Sequence, residues 1–105
     1  MMVVLYKNNQ ITWTDAEILM AIATFQENGS TEDDIIKFVD WREHMILTDT
    51  ELSGGLKRLN NSCLIEQRTN KYYIAENFIK KLPCTLMKRI SYKKRDWCRL
   101  LNIKI

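Results

Sequence analysis

Five polar side chains in the middle of this chain have the chemistry to recognise a polar or anionic partner. They are Lys57, Arg58 and Asn61, spaced to share one side of a predicted helix, and Arg68 and Lys71, on either side of a predicted turn. The alternative is an ordinary solvated surface. The acids Asp49 and Glu51 at the start of the same helix favour that alternative, because they would repel an anion.

No catalytic arrangement accompanies these side chains. The sequence has no phosphate-binding loop, no paired catalytic acids and no nucleophile next to a base. Ser53 precedes two glycines, but it lies in a predicted helix without the strand that a nucleophile elbow requires. His44 is the single histidine and lacks Cys or acids at metal-ligand spacing, so it is better explained as the end of helix two. We therefore expect a binding protein rather than an enzyme, with no metal or other cofactor.

Composition predicts one domain in a reducing compartment. The chain has 105 residues, of which 46% are hydrophobic and 28% charged, as in an ordinary globular domain. The three cysteines include no CxxC pair, which favours the cytoplasm. Residues 1–6 are apolar but too short for a signal peptide, and no apolar run is long enough to cross a membrane.

Charge is distributed unevenly along the chain. Residues 84–105 carry seven Lys and Arg residues against one acid, a net charge of +6, whereas residues 1–83 carry nine against twelve, a net charge of −3. A basic segment of this kind binds nucleic acid or another anionic surface, forms a solvated helix face, or docks on the acidic remainder of the chain. A stripe of apolar residues predicts that residues 85–101 form a helix that packs through it: Leu86, Ile90, Trp97 and Leu101. Tyr92 and Trp97 among the cations would also suit single-strand binding, although a buried stripe is the commoner cause.

Capping residues and apolar spacing predict three helices. Thr12 or Thr14 begins the first, with Glu17 completing a capping box after Thr14. Thr31 begins the second helix, which runs to about His44, and a third begins at Thr48, with Glu51 completing its box. Apolar residues define the buried sides of the three helices: Ile18, Leu19, Ile22, Ala23 and Phe25 in the first, Ile35, Ile36, Phe38, Val39 and Met45 in the second, and Leu52, Leu56, Leu59 and Cys63 in the third. Trp13 and Trp41 are expected to be partly buried beside the first two helices.

The glycine pair Gly54-Gly55 is unusual inside a helix, where each glycine costs about 1 kcal/mol relative to alanine. Either helix–helix packing within the domain or close approach to a partner would compensate. After the third helix, residues 64–68 and 71–75 predict a β-hairpin, and residues 76–82 predict a short helix that Pro83 ends. Residues 2–6 predict a short strand or an apolar lead-in.

The order of three helices and a hairpin resembles the winged-helix superfamily. The stretches that carry the resemblance are Leu56-Lys57-Arg58-Leu59, Leu64-Ile65 and Tyr72-Tyr73-Ile74, within roughly residues 12–82. More closely, "DW…ILTDTELSGGLKRLNNSCLI…KYYIA" is similar to small bacterial winged-helix proteins, many of which have no assigned function. This chain departs from them at Cys63, where glycine often ends the helix, so we expect Asn61 or Ser62 to end it differently.

The resemblance implies an α+β fold: a winged-helix domain over residues 1–83, with residues 84–105 as a basic helical extension. It implies that Lys57, Arg58 and Asn61 face bases in the major groove of double-stranded DNA, and that Arg68 and Lys71 contact the backbone. The expected protein is a small cytoplasmic transcriptional regulator, acting as a homodimer on two half-sites. The alternative function is a winged helix that binds a protein partner and no DNA. A continuous positive surface over helix three and the hairpin would favour DNA, and a neutral or negative surface would favour a protein.

Overall fold

The structure is a computed structural model that describes residues 11–81. Its elements follow in the order helix, helix, helix, strand, strand, helix. Their bounds are α1 Trp13–Thr24, α2 Glu32–Glu43, α3 Asp49–Asn61, β1 Ile65–Arg68, β2 Lys71–Ile74 and α4 Glu76–Lys81. The predicted strand at residues 2–6 and the predicted helix at 85–101 lie outside the described residues.

Each of the three long helices begins with a complete capping box. The threonines Thr12, Thr31 and Thr48 accept a hydrogen bond from the backbone of the residue three positions later, whose carboxylate accepts one from the threonine backbone N–H. The predicted caps at Thr31 and Thr48 are confirmed. For α1 the cap is Thr12 with Asp15, so the pairing of Thr14 with Glu17 was wrong. Both pairs have the required spacing, and spacing alone does not choose between them.

Helix α1 lies at the centre of the domain. Every residue from Asp15 to Ala23 is buried, which includes four of the five residues predicted for its inner side. The fifth, Phe25, is 37% exposed because α1 ends one residue before it. The apolar core extends to α2, α3 and the hairpin, where Ile35, Leu59 and Ile74 are fully buried.

The leucines predicted to hold α3 on the core are confirmed. Leu52, Leu56 and Leu59 are buried, whereas Cys63 at the end of the same stripe is exposed. On α2, Ile35, Phe38 and Val39 are buried and Ile36 is partly buried against the core, as is Met45, which follows the end of the helix. Of the two tryptophans expected to be partly buried, Trp13 is 37% exposed and Trp41 is 72% exposed, so the prediction for Trp41 was wrong.

Gly55 marks the closest approach of α3 to α1. A Cβ atom at this position would lie 2.5 Å from Ile18 Cδ1 and 2.8 Å from Asp15 Oδ1, both too close for real atoms. At Gly54 a Cβ atom would instead lie 3.2 Å from Arg58 Nη1, a tight contact within α3 itself. Helix–helix packing inside the domain, one of the two interpretations predicted, therefore accounts for Gly55, whereas Gly54 faces Arg58 of its own helix.

The ends of α2 and α3 use non-glycine residues in the left-handed conformation. His44, at φ 53°, is the C-cap of α2, as predicted. After α3, Cys63 adopts φ 61°, while the N–H of Cys63 donates to the Asn60 carbonyl and the N–H of Leu64 donates to the Leu59 carbonyl. This is a Schellman motif with cysteine at the glycine position. We expected Asn61 or Ser62 to end the helix in a way that kept Cys63 out of the left-handed conformation, and this expectation was wrong.

The hairpin is antiparallel, with Ile65 opposite Ile74 and Arg68 opposite Lys71. Each strand is one residue shorter than predicted. The outer edge of β2 is attached to the α1–α2 turn, because Ser30 and Tyr72 form a β-bridge with backbone hydrogen bonds of 3.1 and 2.8 Å. Further along β2, the Gln26 side chain accepts a hydrogen bond from the Ile74 N–H at 2.6 Å.

Three helices followed by a two-stranded hairpin form an α+β arrangement that is compatible with a winged helix. The short helix α4 follows the hairpin, as residues 76–82 predicted. Among residues 11–81, no helix has the length and apolar character needed to cross a membrane.

Candidate functional site

The five residues predicted from the sequence lie on α3 and on the hairpin, but not all on one side of the hairpin. Arg68 and Lys71 alternate with Gln67 and Tyr72 along the strands and so lie on the opposite side. The exposed side of α3 and the adjoining hairpin form one candidate surface. We call this surface the α3–hairpin face. A groove of about 210 Å³ runs along it and is lined by residues of α2, α3 and the hairpin: Glu32, Ser53, Leu56, Lys57, Asn60, Gln67 and Tyr72. The face therefore has both polar side chains and a concave shape.

Lys57 and Asn61 lie on the face as predicted, because both side chains are exposed. Lys57 lines the groove directly. Asn60, which the sequence analysis did not single out, is also exposed and lines the groove beside Lys57. Its position three residues after Lys57 was the available signal, since residues three apart are neighbours on a helix surface.

Arg58 is engaged within the domain. Its Nε atom donates to Asp15 Oδ2 at 2.6 Å and its Nη2 atom donates to Asp15 Oδ1 at 2.9 Å. The carboxylate is fully buried, whereas the Arg58 side chain is 37% exposed. The hydrogen bonds to Asp15 raise the pKa of Arg58 above its ordinary value, so the guanidinium stays charged. Base contact by Arg58 stays a prediction, and in this structure the guanidinium joins α3 to α1.

Arg68 and Lys71 face each other directly across the end of the hairpin. Like charges at opposed positions destabilise a hairpin, so this end of the hairpin concentrates positive charge at some cost. The positive charge of Arg68 is partly compensated by an ion pair with Glu66 at 2.9 Å. Its guanidinium carbon lies 4.0 Å from the centre of the Tyr73 ring. Between the two cations, Thr69 adopts φ 60°, a conformation that β-branched residues rarely occupy.

The end of the hairpin is fixed against the α1–α2 turn. Lys71 Nζ donates to the Asn28 carbonyl at 3.1 Å. Gly29 has φ 79°, and a Cβ atom there would lie 2.6 Å from Tyr73 Cζ, so glycine is required for both its backbone angle and this close contact. Arg68 is therefore held by the Tyr73 ring, which packs on Gly29, and Lys71 is held by the Asn28 carbonyl.

Positive and negative groups are mixed on and around the α3–hairpin face. Its cations are Lys57, Arg58, Arg68 and Lys71. Nearby acids are Glu32 in the groove lining, Glu66 paired with Arg68, Asp15 paired with Arg58, and Asp34 close to Lys71. Asp49 and Glu51 lie in the first turn of α3. At the bottom of the groove, burial raises the pKa of Tyr72, and the nearby charge of Glu32 raises it further, so the phenol is neutral at physiological pH. The face is therefore of mixed charge, with the two cations Arg68 and Lys71 opposed at the end of the hairpin.

A second surface was missed by sequence reasoning. Phe25, Phe38 and Trp41 form a row of aromatic rings with centroids 6.0 and 6.1 Å apart, in which Phe38 belongs to the core while Phe25 and Trp41 are exposed. The signal was the spacing of Phe38 and Trp41, three residues apart on one helix side.

For metals, no group of three or more His, Cys, Asp or Glu side chains within residues 11–81 is arranged to hold an ion.

Comparisons of this chain with protein-family models, with curated proteins and with solved structures gave no match. Its function must therefore be inferred from the two surfaces described above.

Proposed function

We propose that this domain is a winged-helix protein that binds double-stranded DNA through the α3–hairpin face, as a small regulator without cofactor or catalytic activity. The observation that carries the proposal is the opposed pair Arg68 and Lys71, held at a strained turn beside the exposed polar side of α3. A concentrated positive end on a rigid hairpin suits contact with phosphates. Strained backbone often occurs where a ligand is bound.

Two residues of α3 are proposed to approach the bases. Lys57 can donate to guanine, and Asn61 can make a two-point contact with adenine. Arg58 is assigned to the scaffold instead, because its guanidinium already holds the buried carboxylate of Asp15. Winged-helix regulators commonly bind two half-sites, so the proposal includes a homodimer on DNA. The exposed thiol of Cys63 suits the reducing cytoplasm.

The acids among the cations of the α3–hairpin face limit how strongly the domain can bind DNA. With two phosphate-contacting cations per protomer, the logarithm of the association constant should fall with the logarithm of salt concentration with a slope of about −2 for each protomer bound. Asp49 is exposed in the first turn of α3, where it would oppose phosphates. Asp49→Asn should therefore strengthen DNA binding while leaving the capping box of Thr48 and Glu51 intact.

Fluorescence anisotropy with a labelled mixed-sequence duplex, titrated with the full chain from about 50 to 200 mM salt, tests the proposal. Arg68→Ala together with Lys71→Ala should weaken binding to every duplex and reduce the slope by about two. Lys80→Ala on α4 is the matched control, because Lys80 is an equally exposed cation that also pairs with an acid, Glu76. Absence of binding at about 50 mM salt, or equal effects of the control, would refute the proposal.

Protein binding is the second candidate function, and the acids among the cations of the α3–hairpin face favour it. A face of mixed charge with a polar groove suits a peptide or protein surface better than a polyanion. The salt titration separates the two functions. A domain that binds no duplex at low salt is left with the protein-interaction function, and the α3–hairpin face is then the first surface to mutate in a search for its partner.

A further inference from the structure

The row of aromatic rings on α2 borders a groove that is open to solvent. The groove is lined by residues from the end of α1 and one side of α2: Thr24, Phe25, Asp34, Lys37, Phe38 and Trp41. Trp41 is 72% exposed and Phe25 is 37% exposed. Large aromatic side chains gain most when they are removed from water, so a surface of this kind is normally covered.

The groove lies in acidic surroundings. Helix α2 carries five acids and two cations, a net charge of −3. The side chain of Lys37 is paired with Asp33 at 2.9 Å, and the acid that lines the groove is Asp34. Asp34 remains ionised, because a hydrogen bond from the Thr31 backbone lowers its pKa. The surface should therefore attract an occupant that combines apolar side chains with positive charge.

We propose that residues 84–105 of the same chain occupy this aromatic groove. That segment carries a net charge of +6 and has apolar residues at Leu86, Ile90, Trp97 and Leu101. A second copy of α2 would bring another charge of −3 and repel the first. The proposal is independent of DNA binding, because the groove is separate from the α3–hairpin face.

Residues 84–105 are joined to the described domain by a short stretch of chain and are long enough to reach the groove. Residue 84 follows the end of α4 at Lys81 by three positions. The structure measures 35 Å in its longest dimension, whereas 22 extended residues reach about 70 Å. A tethered segment has an effective concentration in the millimolar range, so even weak contacts would keep the groove covered.

Cross-linking within the full chain tests the proposal directly. Cys63 and Cys84 are replaced by serine, so that Cys98 provides the one native thiol, and Lys37→Cys adds a thiol at the groove. A short bismaleimide should join the two within one chain at least about ten times faster than it joins Cys98 to the thiol of Lys57→Cys. The Lys57 position is the control because it is also an exposed lysine on a helix, but on the α3–hairpin face. Equal rates, or covalent dimers in place of intramolecular links, would overturn the proposal, and dimers would identify a second copy as the occupant.

Limited trypsin digestion provides a second readout that needs no new thiol. Cleavage after the lysines and arginines of residues 88–99 should be about ten times faster in Trp41→Ala, because the segment is released from the groove. Ile46→Ala is the control, since Ile46 is 77% exposed but does not line the groove. Both side chains are exposed, so neither substitution should unfold the domain. Unchanged cleavage in Trp41→Ala, or equal acceleration in the control, would contradict the assignment.

Discussion

Arg58 and Asp15 form a two-point ion pair that joins α3 to the first turn of α1. The same Asp15 carboxylate accepts a hydrogen bond from the Thr12 backbone N–H at 3.1 Å, completing the capping box of α1. One buried carboxylate therefore both begins α1 and holds α3. The two glycines preceding Arg58 on α3 provide the space: Gly55 beside the carboxylate and Gly54 beside the guanidinium.

Removal of the arginine should destabilise the domain. In Arg58→Ala the Asp15 carboxylate stays fully buried without its cation, and we expect the free energy of unfolding to fall by about 2–3 kcal/mol. This value lies below the cost of breaking a fully buried pair because Arg58 is partly exposed. Urea denaturation followed by circular dichroism measures the change.

Two further variants show whether the geometry of the pair matters. Arg58→Lys keeps the charge but cannot make the two-point contact, so it should recover only part of the stability. Lys57→Ala removes the neighbouring exposed cation and should change stability by less than about 0.5 kcal/mol. A loss in Lys57→Ala as large as that in Arg58→Ala would show that the ion pair is not the cause.

The adjacent glycines should respond differently to alanine. Gly55→Ala should lower the free energy of unfolding by about 1–3 kcal/mol, because its Cβ atom would collide with Ile18 and Asp15. Gly54→Ala should change it by less than about 0.5 kcal/mol, because the gain in helix propensity offsets a small displacement of Arg58. Thermal denaturation of both variants makes the comparison, and equal effects would rule out α1–α3 packing as the reason for the glycine pair.

Replacing the left-handed cysteine with glycine should stabilise the protein. Cys63 is exposed and adopts φ 61°, so Cys63→Gly removes steric strain without removing a buried side chain. We expect a gain of about 0.5–1 kcal/mol after the greater flexibility of glycine in the unfolded chain is counted. Cys63→Ser keeps a Cβ atom and should show no gain. A melting temperature that rises equally in both variants would point to the thiol rather than to the backbone.

Acid should weaken the cap of α2. The hydrogen bond from the Thr31 backbone lowers the pKa of Asp34 below the ordinary value of 3.8. Its stabilising contribution is therefore complete above that value and is lost as pH falls from there through the lower pKa of the folded state. Asp34→Asn should be less stable than the parent near neutral pH, and the difference should shrink below about pH 4.

Melting temperatures between neutral pH and about pH 2 measure this convergence. Asp40→Asn, at an exposed position of the same helix, is the control and should show no such convergence with the parent. A constant difference between Asp34→Asn and the parent across the range would mean that the carboxylate charge does not stabilise the cap.

Local interactions were predictable from the sequence. The caps at Thr31 and Thr48 depend on side chains three residues apart, and the burial of Leu52, Leu56 and Leu59 follows from helical spacing. The hairpin followed from two β-prone runs around a turn. For α1, two overlapping threonine–acid pairs fit equally well, and only the surrounding packing selects Thr12 with Asp15.

Contacts between distant residues were not predictable in the same way. Arg58 was placed on the outer side of α3 by its angle on the helix, but a long side chain can reach back across the helix surface to Asp15, 43 residues away. Gly54, four positions earlier, was a usable sign that a large group lies over that turn. The engagement of Lys71 with the Asn28 carbonyl had no comparable sign in the sequence.

The attachment of β2 to the α1–α2 turn has a consequence for how the chain folds. Ser30 bonds to Tyr72 and Gln26 to Ile74, so these contacts close loops of 42 and 48 residues. Each loop contains α2 and α3, and closing it lowers the conformational entropy of the chain. The hydrogen bonds alone do not offset this loss, so they should form only when α2 and α3 also pack. The hairpin should therefore gain its hydrogen-exchange protection together with α1, in a single cooperative step rather than as an independent early nucleus.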